Sequence, residues 1–321
     1  MTQPSIWQPL NHDTILHSVE KTLGKKLSNL LRHRNSYINR VYELEIHDSR
    51  ERIIVKFYRP GRWTKEMILE EHQFLKELAA KEVLVIPPLE IKGQTLFEFE
   101  SIPFALFPKK GGRALDEFGK DSWEELGRLL ARIHMVGAIH QSSHRITWRP
   151  AVATQHHLEV LLKNDYLLPD FKKSFQHITE MFIKKADPFF SHHEFIQLHG
   201  DCHKGNLIHR PGEGIYIIDF DDMCLGPPVQ DLWMLLPDIP ENCENELSWF
   251  FKGYEVFRPF DRRTLKLIPL LRGMRIIHFA AWLAIQSKEA GFAKHFPEVG
   301  TARYWNELIK DLQEITYSIA D

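Results

Sequence analysis

The polar residues between positions 199 and 221 carry the clearest sign of chemistry in this 321-residue chain. A polar loop runs from His199 to Asn206, and an apolar strand-like run downstream of it ends in Asp219 and Asp221. A strand that ends in acidic residues delivers a rigidly held carboxylate to a cleft. Within the loop, Asp201 can accept a proton and the side-chain oxygen of Asn206 can ligate a hard cation. Asp219 would supply the charged ligand for that cation.

This set of oxygen donors suits magnesium. Mg²⁺ prefers oxygen ligands, keeps several waters, and is usually held by one or two carboxylates together with substrate phosphates. A loop with Asp and Asn, followed by an Asp at the end of a strand, therefore predicts metal-assisted phosphoryl transfer. The predicted metal ligands are Asn206 and Asp219, and the predicted catalytic residues are Asp201 and Asp219.

The elements that must position these residues begin with a strand-rich first third. Arg40–Ile46 and Arg52–Tyr58 are rich in β-branched and aromatic residues and flank a polar turn, which predicts a hairpin. The apolar periodicity of the next segment predicts a helix over Lys65–Ala80. Two further strand-like runs, Val83–Ile91 and Thr95–Phe107, complete a predicted five-stranded antiparallel sheet with one helix.

The predicted helix carries an acidic residue on its buried face. Ile68, Leu75 and Leu78 form the apolar stripe, and Glu71 lies on the same stripe at helical spacing. A carboxylate on a buried face needs a partner, because an unpaired buried charge is costly. The neighbouring Glu70 is a competing candidate for any role assigned to this position.

The remainder of the chain is predicted to be helical. A Pro-Lys-Lys-Gly-Gly segment at 108–112 interrupts the pattern and is the candidate hinge. It divides the chain into a first domain, residues 1–107, and a second domain, residues 108–321. In the second domain, Ser122 and Glu125 match the capping-box pattern S-x-x-E and predict the start of a helix.

Composition excludes several classes of protein. The chain has 41 Lys and Arg against 43 Asp and Glu, a balance that argues against a generally basic nucleic-acid binder. Its three cysteines, Cys202, Cys224 and Cys243, form no CxxC pair, which favours a reducing compartment. The most apolar run, Leu265–Ile285, is interrupted by charged residues, and no export signal is visible at the start. We therefore expect a cytoplasmic protein without a membrane span.

The pattern H-G-D-x-H-x-x-N followed by I-D-F-D resembles the aminoglycoside-phosphotransferase branch of the kinase-like fold. Residues 35–42, 199–206 and 226–233 are similar to the bacterial stress response kinase A family, which comprises cytoplasmic Ser/Thr protein kinases. The resemblance covers roughly residues 30–235. It implies an α+β, protein-kinase-like fold with two lobes, a small β-rich N-terminal lobe and a larger helical C-terminal lobe.

The resemblance also implies roles for single residues in the second lobe. Asp201 would be the base or would orient the acceptor hydroxyl, and Asn206 and Asp219 would ligate Mg²⁺. Asp231, at the head of an apolar helix, would hydrogen-bond the catalytic loop from behind.

For the nucleotide, ATP, the resemblance implies that Lys56 holds the α- and β-phosphates and that Glu71 pairs with Lys56. Ser36 would lie in the loop over the phosphates, and the adenine would bind near Phe107. The chain departs from the family of glycine-loop kinases, because it has no G-x-G-x-x-G run there. Ser36 and Asn35, or nearby arginines, must then supply the donors.

The resulting hypothesis is an ATP- and Mg²⁺-dependent kinase acting on serine or threonine of a protein. The first alternative is a kinase for a small hydroxyl compound, in which Asp221, Asp222 and Glu194 would attract a cationic acceptor. The second is a metal hydrolase, in which His199 and His203 would ligate a transition metal together with Asp201. The third is a binding protein of the same fold without catalysis.

Overall fold

The computed structural model describes residues 6–319 except 35, 37, 116, 141, 164–165 and 288–291, so the prediction for Asn35 lies outside the described residues. The strands found there are β1 (Leu27–Arg34), β2 (Arg40–Ile46), β3 (Arg52–Phe57), β4 (Phe97–Phe99), β5 (Ile102–Pro108), β6 (Ile196–Leu198), β7 (Leu207–Arg210), β8 (Gly214–Ile217) and β9 (Cys224–Gly226). The helices are α1 (His12–Leu23), α2 (Lys65–Ala80), α3 (Lys120–Gly137), α4 (Gln155–Lys163), α5 (Pro169–Ala186), α6 (Gln230–Trp233), α7 (Glu244–Tyr254), α8 (Ile268–Gln286), α9 (Phe292–His295) and α10 (Ala302–Ser318).

The first lobe is built on a five-stranded antiparallel sheet in the order β1-β2-β3-β5-β4. Ile53, Val55 and Phe57 of β3 are buried in a core that also contains residues of α1. Because successive strand residues point to opposite faces, Lys56 faces away from that core. It lies between Val41 of β2 and Ala105 of β5 in the ladder. The central strand therefore presents one charged side chain to the cleft.

The predicted sheet has the right number of strands but one wrong member. Residues 83–90, all of them described, form no strand, and the fifth place is taken by β1. Pro87 and Pro88 lack the N–H that a ladder needs, which explains why this apolar run stays extended but mostly unpaired. The Thr95–Phe107 run splits into β4 and β5, with Glu100 and Ser101 at φ 48° and 64° in the turn. The lobe also contains α1 besides the predicted helix α2, whose bounds are as predicted.

The second lobe is helical, with α3 packed against α7 and α8 packed against α4, α5 and α10. The predicted capping box is wrong, because α3 begins at Lys120 with Gly119 as its N-cap and no side-chain cap. Glu125 instead accepts a hydrogen bond from the backbone N–H of Ile215 at 2.7 Å. That bond ties α3 to β8, the strand that precedes Asp219.

The apolar helix α8 forms part of this core. By length and composition alone the segment Arg262–Gln286 could cross a membrane, but 56% of its most apolar window is buried inside the protein. Leu271, Met274 and Ile277 of α8 are almost completely buried. Its apolar character is accounted for by packing against the neighbouring helices.

Candidate active site

The predicted catalytic loop, residues 199–206, is fixed from behind by one buried carboxylate. Asp231 Oδ2 accepts a hydrogen bond from His199 N at 2.9 Å, and its Oδ1 accepts one from Gly200 N at 2.8 Å. His134 Nε2 lies 3.2 Å from Asp231 Oδ2. Gly200 has a φ of +85°, and a Cβ there would lie 2.1 Å from Asp222 O. The predicted bracing by Asp231 is confirmed, and only glycine fits at 200.

The loop histidines are engaged with the backbone. His199 Nε2 lies 2.9 Å from Ile218 O, and its Nδ1 accepts a hydrogen bond from Asp201 N at 3.2 Å. His203 Nδ1 accepts one from Gly205 N at 3.0 Å. In the described part of the chain, no group of three or more His, Cys, Asp or Glu side chains is arranged to hold a metal. The transition-metal alternative therefore finds no ligand set here.

Asp201 is held as an anion. Its side chain is 17% exposed, and Arg275 Nη2 lies 2.8 Å from Oδ1, at ion-pair distance although not aligned as a hydrogen bond. His203 Nε2 lies 3.4 Å from Oδ2. Burial alone would raise the pKa of Asp201, but the His203 contact and the Arg275 charge outweigh it and hold that pKa well below its usual range. Asp201 is therefore suited to accept a hydrogen bond and orient a hydroxyl.

The two predicted metal ligands are connected through the backbone. Asn206 Nδ2 donates to Asp201 O at 2.9 Å, which leaves Oδ1 as the atom able to ligate a cation. Asn206 O accepts from Ile218 N at 2.9 Å, directly before Asp219. The Asp219 side chain is 51% exposed, and its backbone has a φ of +65°. These neutral and charged oxygen donors fit a hard divalent ion.

Lys56 pairs across the cleft with the acidic residues of the second lobe. Its Nζ lies 3.0 Å from Asp219 Oδ1 and also bonds Asp221 Oδ1. Burial opposes the charge of the lysine, but the two aspartates and Glu71 raise its pKa well above the ordinary value. Lys56 is therefore a firmly protonated cation in the cleft.

The predicted Lys56–Glu71 ion pair is not formed between these two described residues. Glu71 Oε2 instead lies 3.5 Å from Arg145 Nη2. The carboxylates of Asp219 and Asp221 already contact the ammonium group of Lys56. Glu71 does not join them, because it has Arg145 beside it. Burial raises the pKa of Glu71, because its charged form is poorly solvated there. The competing Glu70 lies elsewhere, bonded to the 142–144 loop.

Sequence reasoning missed the residues that close the cleft. Asn39 Nδ2 donates to Asp221 Oδ2 at 2.6 Å, and Arg62 Nη2 lies 2.7 Å from Asp222 Oδ1. Arg145 Nη1 donates to Asp221 O at 2.5 Å. The one signal that pointed to Arg145 was the buried-face Glu71, which required a cation. Nothing in the local sequence marks Asn39 or Arg62, because their partners lie about 160 residues away or more.

One cavity of about 590 Å³ joins these groups. It is lined by the predicted site residues Ser36, Lys56, Glu71, Asp201 and Asp219, whereas the buried Asn206 is not among the lining residues. Its sheet-side wall includes the apolar residues Val41, Ile54, Ile86 and Phe107, where the adenine is predicted, and also the basic residues Arg34, Lys109 and Lys110. Its other wall is formed by α8, through Arg275, His278, Phe279 and Trp282.

The sequence of the chain is similar to known phosphotransferases. Residues 29–268 match a protein family that is described as the phosphotransferase enzyme family. Stress response kinase A of Escherichia coli (strain K12) is 37% identical over 304 residues, covering 93% of this chain and 90% of the relative. A relative from Salmonella typhimurium named serine/threonine protein kinase RdoA is 35% identical over 310 residues, with coverage of 93% and 90%.

Solved structures share the fold at low sequence identity. An amicoumacin kinase in complex with AMP-PNP, Ca²⁺ and its ligand has a TM-score of 0.77 at 18% identity, covering 97% of this chain and 95% of that one. A spectinomycin phosphotransferase has a TM-score of 0.66 at 14% identity, with coverage of 97% and 99%. The choline kinase of Streptococcus pneumoniae has a TM-score of 0.64 at 16% identity, with coverage of 94% and 99%. The two-lobed kinase-like fold is therefore confirmed.

Proposed function

The chain belongs to the phosphotransferase enzyme family and, within it, to the stress response kinase A family, and we propose that it transfers the terminal phosphate of Mg²⁺-ATP to a serine or threonine of a protein. The observation that carries the proposal is the single cavity into which the structure brings Lys56, Asp201 and Asp219. A cation, a hydroxyl-orienting anion and a metal-ligating carboxylate are the groups that phosphoryl transfer needs.

The phosphates of the nucleotide would meet Lys56 and Ser36. Lys56 stays protonated and can neutralise the α- and β-phosphates, while the apolar wall near Phe107 accommodates the adenine. Asn206 and Asp219 would hold the divalent ion through their side-chain oxygens. When bound, that ion supplies charge neutralisation for the phosphates.

The acceptor hydroxyl would be oriented by Asp201. In the transfer, the hydroxyl oxygen forms a bond to the γ-phosphorus, and the bond from that phosphorus to the β-bridging oxygen breaks and releases ADP. The hydroxyl proton goes to Asp201 and then to water. Because the pKa of Asp201 is low, its contribution is positioning and charge complementarity more than strong basicity. The bracing of its loop by Asp231 supports that role.

The charges around the cavity favour a protein over a cationic small molecule. The three acidic residues proposed to attract a cation are each paired: Asp221 with Lys56, Asp222 with Arg62, and Glu194 with Arg258 at 2.6 Å. In addition, the positive side chain of Arg275 lies directly beside Asp201. The name of the Salmonella relative, a serine/threonine protein kinase, agrees with this choice.

The test is a labelling experiment that compares the wild type with one active-site variant and one exposed control variant. The purified protein is incubated with Mg²⁺ and γ-labelled ATP in a cell extract, and the macromolecular and small-molecule fractions are analysed separately. We expect label on protein serine or threonine with the wild type and with Asp311→Asn, an exposed control. Asp201→Asn should add little or no label beyond that of the extract alone. Label confined to the small-molecule fraction would overturn the proposal in favour of a small-hydroxyl kinase.

A further inference from the structure

One face of α8 forms the cavity wall beside the catalytic loop. Arg275, His278, Phe279 and Trp282 follow each other at spacings of three, one and three residues, so they share one side of the helix. All four line the cavity that contains Asp201. The sheet-side wall is assigned to the nucleotide, through its apolar residues and Lys56, so this helix face is the part left for the acceptor.

The charge on this wall is positive. Arg275 is 28% exposed at its side chain, and its ion pair with Asp201 is the one found for it among the described residues. A guanidinium carries five N–H donors in a planar fork that matches a carboxylate bidentately. The other ionisable group of the wall, His278, has its pKa lowered to about 3 by burial and by the charges of Arg275 and Arg62. His278 is therefore neutral and lies 3.0 Å from His157 Nε2.

The carboxylates near the cavity already have cations. Asp219 and Asp221 contact Lys56, and Asp222 contacts Arg62. Asp201 also has a cation beside it, Arg275. It differs from the other carboxylates because it must contact the acceptor hydroxyl. An anionic group arriving with the acceptor would compete with Asp201 for the guanidinium.

We propose that the acceptor is a peptide segment whose serine or threonine is flanked by an acidic side chain, and that this side chain binds Arg275. This inference rests on the proposed protein kinase function and names its substrate class. Arg275 is then the specificity-determining residue of the site. The stacked pair Phe279 and Trp282, with ring centroids 5.5 Å apart and an interplanar angle of 11°, provides the apolar surface beside it. Phe279 is 44% exposed and is available to a bound segment.

Binding of the acidic side chain would also release the catalytic carboxylate. Arg275 Nη2 lies 2.8 Å from Asp201 Oδ1, so engaging the guanidinium elsewhere removes this ion pair and frees the oxygen to face the acceptor hydroxyl. An acceptor with a neutral or basic flank would leave the Arg275–Asp201 pair in place. Acidic acceptors would therefore gain in both binding and turnover.

The test uses serine peptides that differ only in the residues flanking the serine, which are Glu, Gln or Lys. The wild type should favour the Glu peptide over the Lys peptide by about tenfold or more in kcat/KM, the size of one charge-assisted contact. Arg275→Gln should lose most of this ratio, Arg275→Lys should keep part of it, and Arg275→Glu should invert it. The matched control is Arg272→Gln, an exposed position on the same helix that should keep the wild-type ratio.

The outcomes separate this inference from the function on which it rests. Equal phosphorylation of the Glu and Lys peptides, or an unchanged ratio in Arg275→Glu with ATP binding intact, overturns the inference and leaves the protein kinase in place. If the wild type phosphorylates no peptide and the cell-extract label appears only in small molecules, both proposals are overturned.

Discussion

Two buried aspartates of the second lobe make different kinds of contact. Asp231 is completely buried and accepts hydrogen bonds from the backbone of the catalytic loop, with His134 beside it. Asp221 is 3% exposed and bonds Lys56 and Asn39, which belong to the other lobe. The side-chain contacts of Asp231 lie within one lobe, whereas the side-chain bonds of Asp221 to Lys56 and Asn39 exist only when the two lobes meet.

The difference indicates that the loop with Asp201 and the side chain of Lys56 are held in place by separate contacts. The loop that carries Asp201 is preorganised by contacts that do not depend on the position of the sheet. The position of Lys56 depends on acidic residues across the cleft, so it changes with any movement between the lobes. We expect loop bracing to affect folding most and cross-cleft contacts to affect nucleotide use most.

The largest expected effect on folding is that of Asp231→Ala. The change leaves two buried backbone N–H groups without an acceptor, at about 1–3 kcal/mol each. We therefore expect the free energy of unfolding to fall by roughly 2–6 kcal/mol, measured by urea denaturation. Asp311→Ala, an exposed control on α10, should change it by less than about 0.5 kcal/mol. A loss as small as that of the control would show that Asp231 does not hold the loop.

Asp221→Asn should lower the free energy of unfolding less than Asp231→Ala does, and it should raise the KM for ATP more. The side chain keeps its shape, but Lys56 loses one of its two carboxylate partners. We expect a loss of about 1–3 kcal/mol in unfolding free energy, the range for one charged hydrogen bond. The KM for ATP should rise, because Lys56 is no longer held in position. An unchanged KM, with kcat alone reduced, would contradict the assigned role of this cross-cleft contact.

The effect expected to be smallest at neutral pH comes from the first lobe and is a pH dependence of stability. His72 lies between Tyr58 Oη and Thr95 Oγ1, at 3.0 and 2.9 Å. Burial, with the charge of Lys56, lowers its pKa from 6.5 to about 3. Because the pKa of His72 is lower in the folded chain than in the unfolded chain, its contribution to stability is fully present above pH 6.5. That contribution is lost as the pH falls toward 3.

The measurement compares unfolding free energies between pH 7 and pH 4. His72→Gln should flatten the wild-type slope by up to about 1.4 kcal/mol per pH unit, the value for one proton. His192→Gln, on an exposed residue, should leave the slope unchanged. Identical slopes in His72→Gln and the wild type would show that His72 is not buried as a neutral group.

The grouping of the proposed catalytic residues was predictable because they are close in sequence. Asp201, Asn206 and Asp219 lie on one loop and the following hairpin, so type and spacing carry the information. The bounds of α2 followed from its apolar periodicity, which burial enforces.

Other parts depend on contacts that sequence spacing does not encode. The apolar run 83–91 satisfies a strand pattern but contains two prolines, and β1 has no clear alternation of apolar and polar residues. Lys56 and Glu71 were expected to pair, but Arg145 lies 3.5 Å from Glu71 and two aspartates contact the lysine. The choice among several carboxylates and cations is made by tertiary packing. The predicted boundary at 107/108 stays a prediction.

Single-turnover phosphoryl transfer by Asp201→Asn shows whether the Asp201 carboxylate orients the acceptor hydroxyl. The shape of the side chain is retained, so ATP affinity and thermal stability should stay close to those of the wild type. The transfer rate should fall by about 10²- to 10⁴-fold, because the acceptor hydroxyl loses the carboxylate that orients it and accepts its proton. Transfer at a near wild-type rate by a folded, ATP-binding Asp201→Asn protein would show that Asp201 does not have this role.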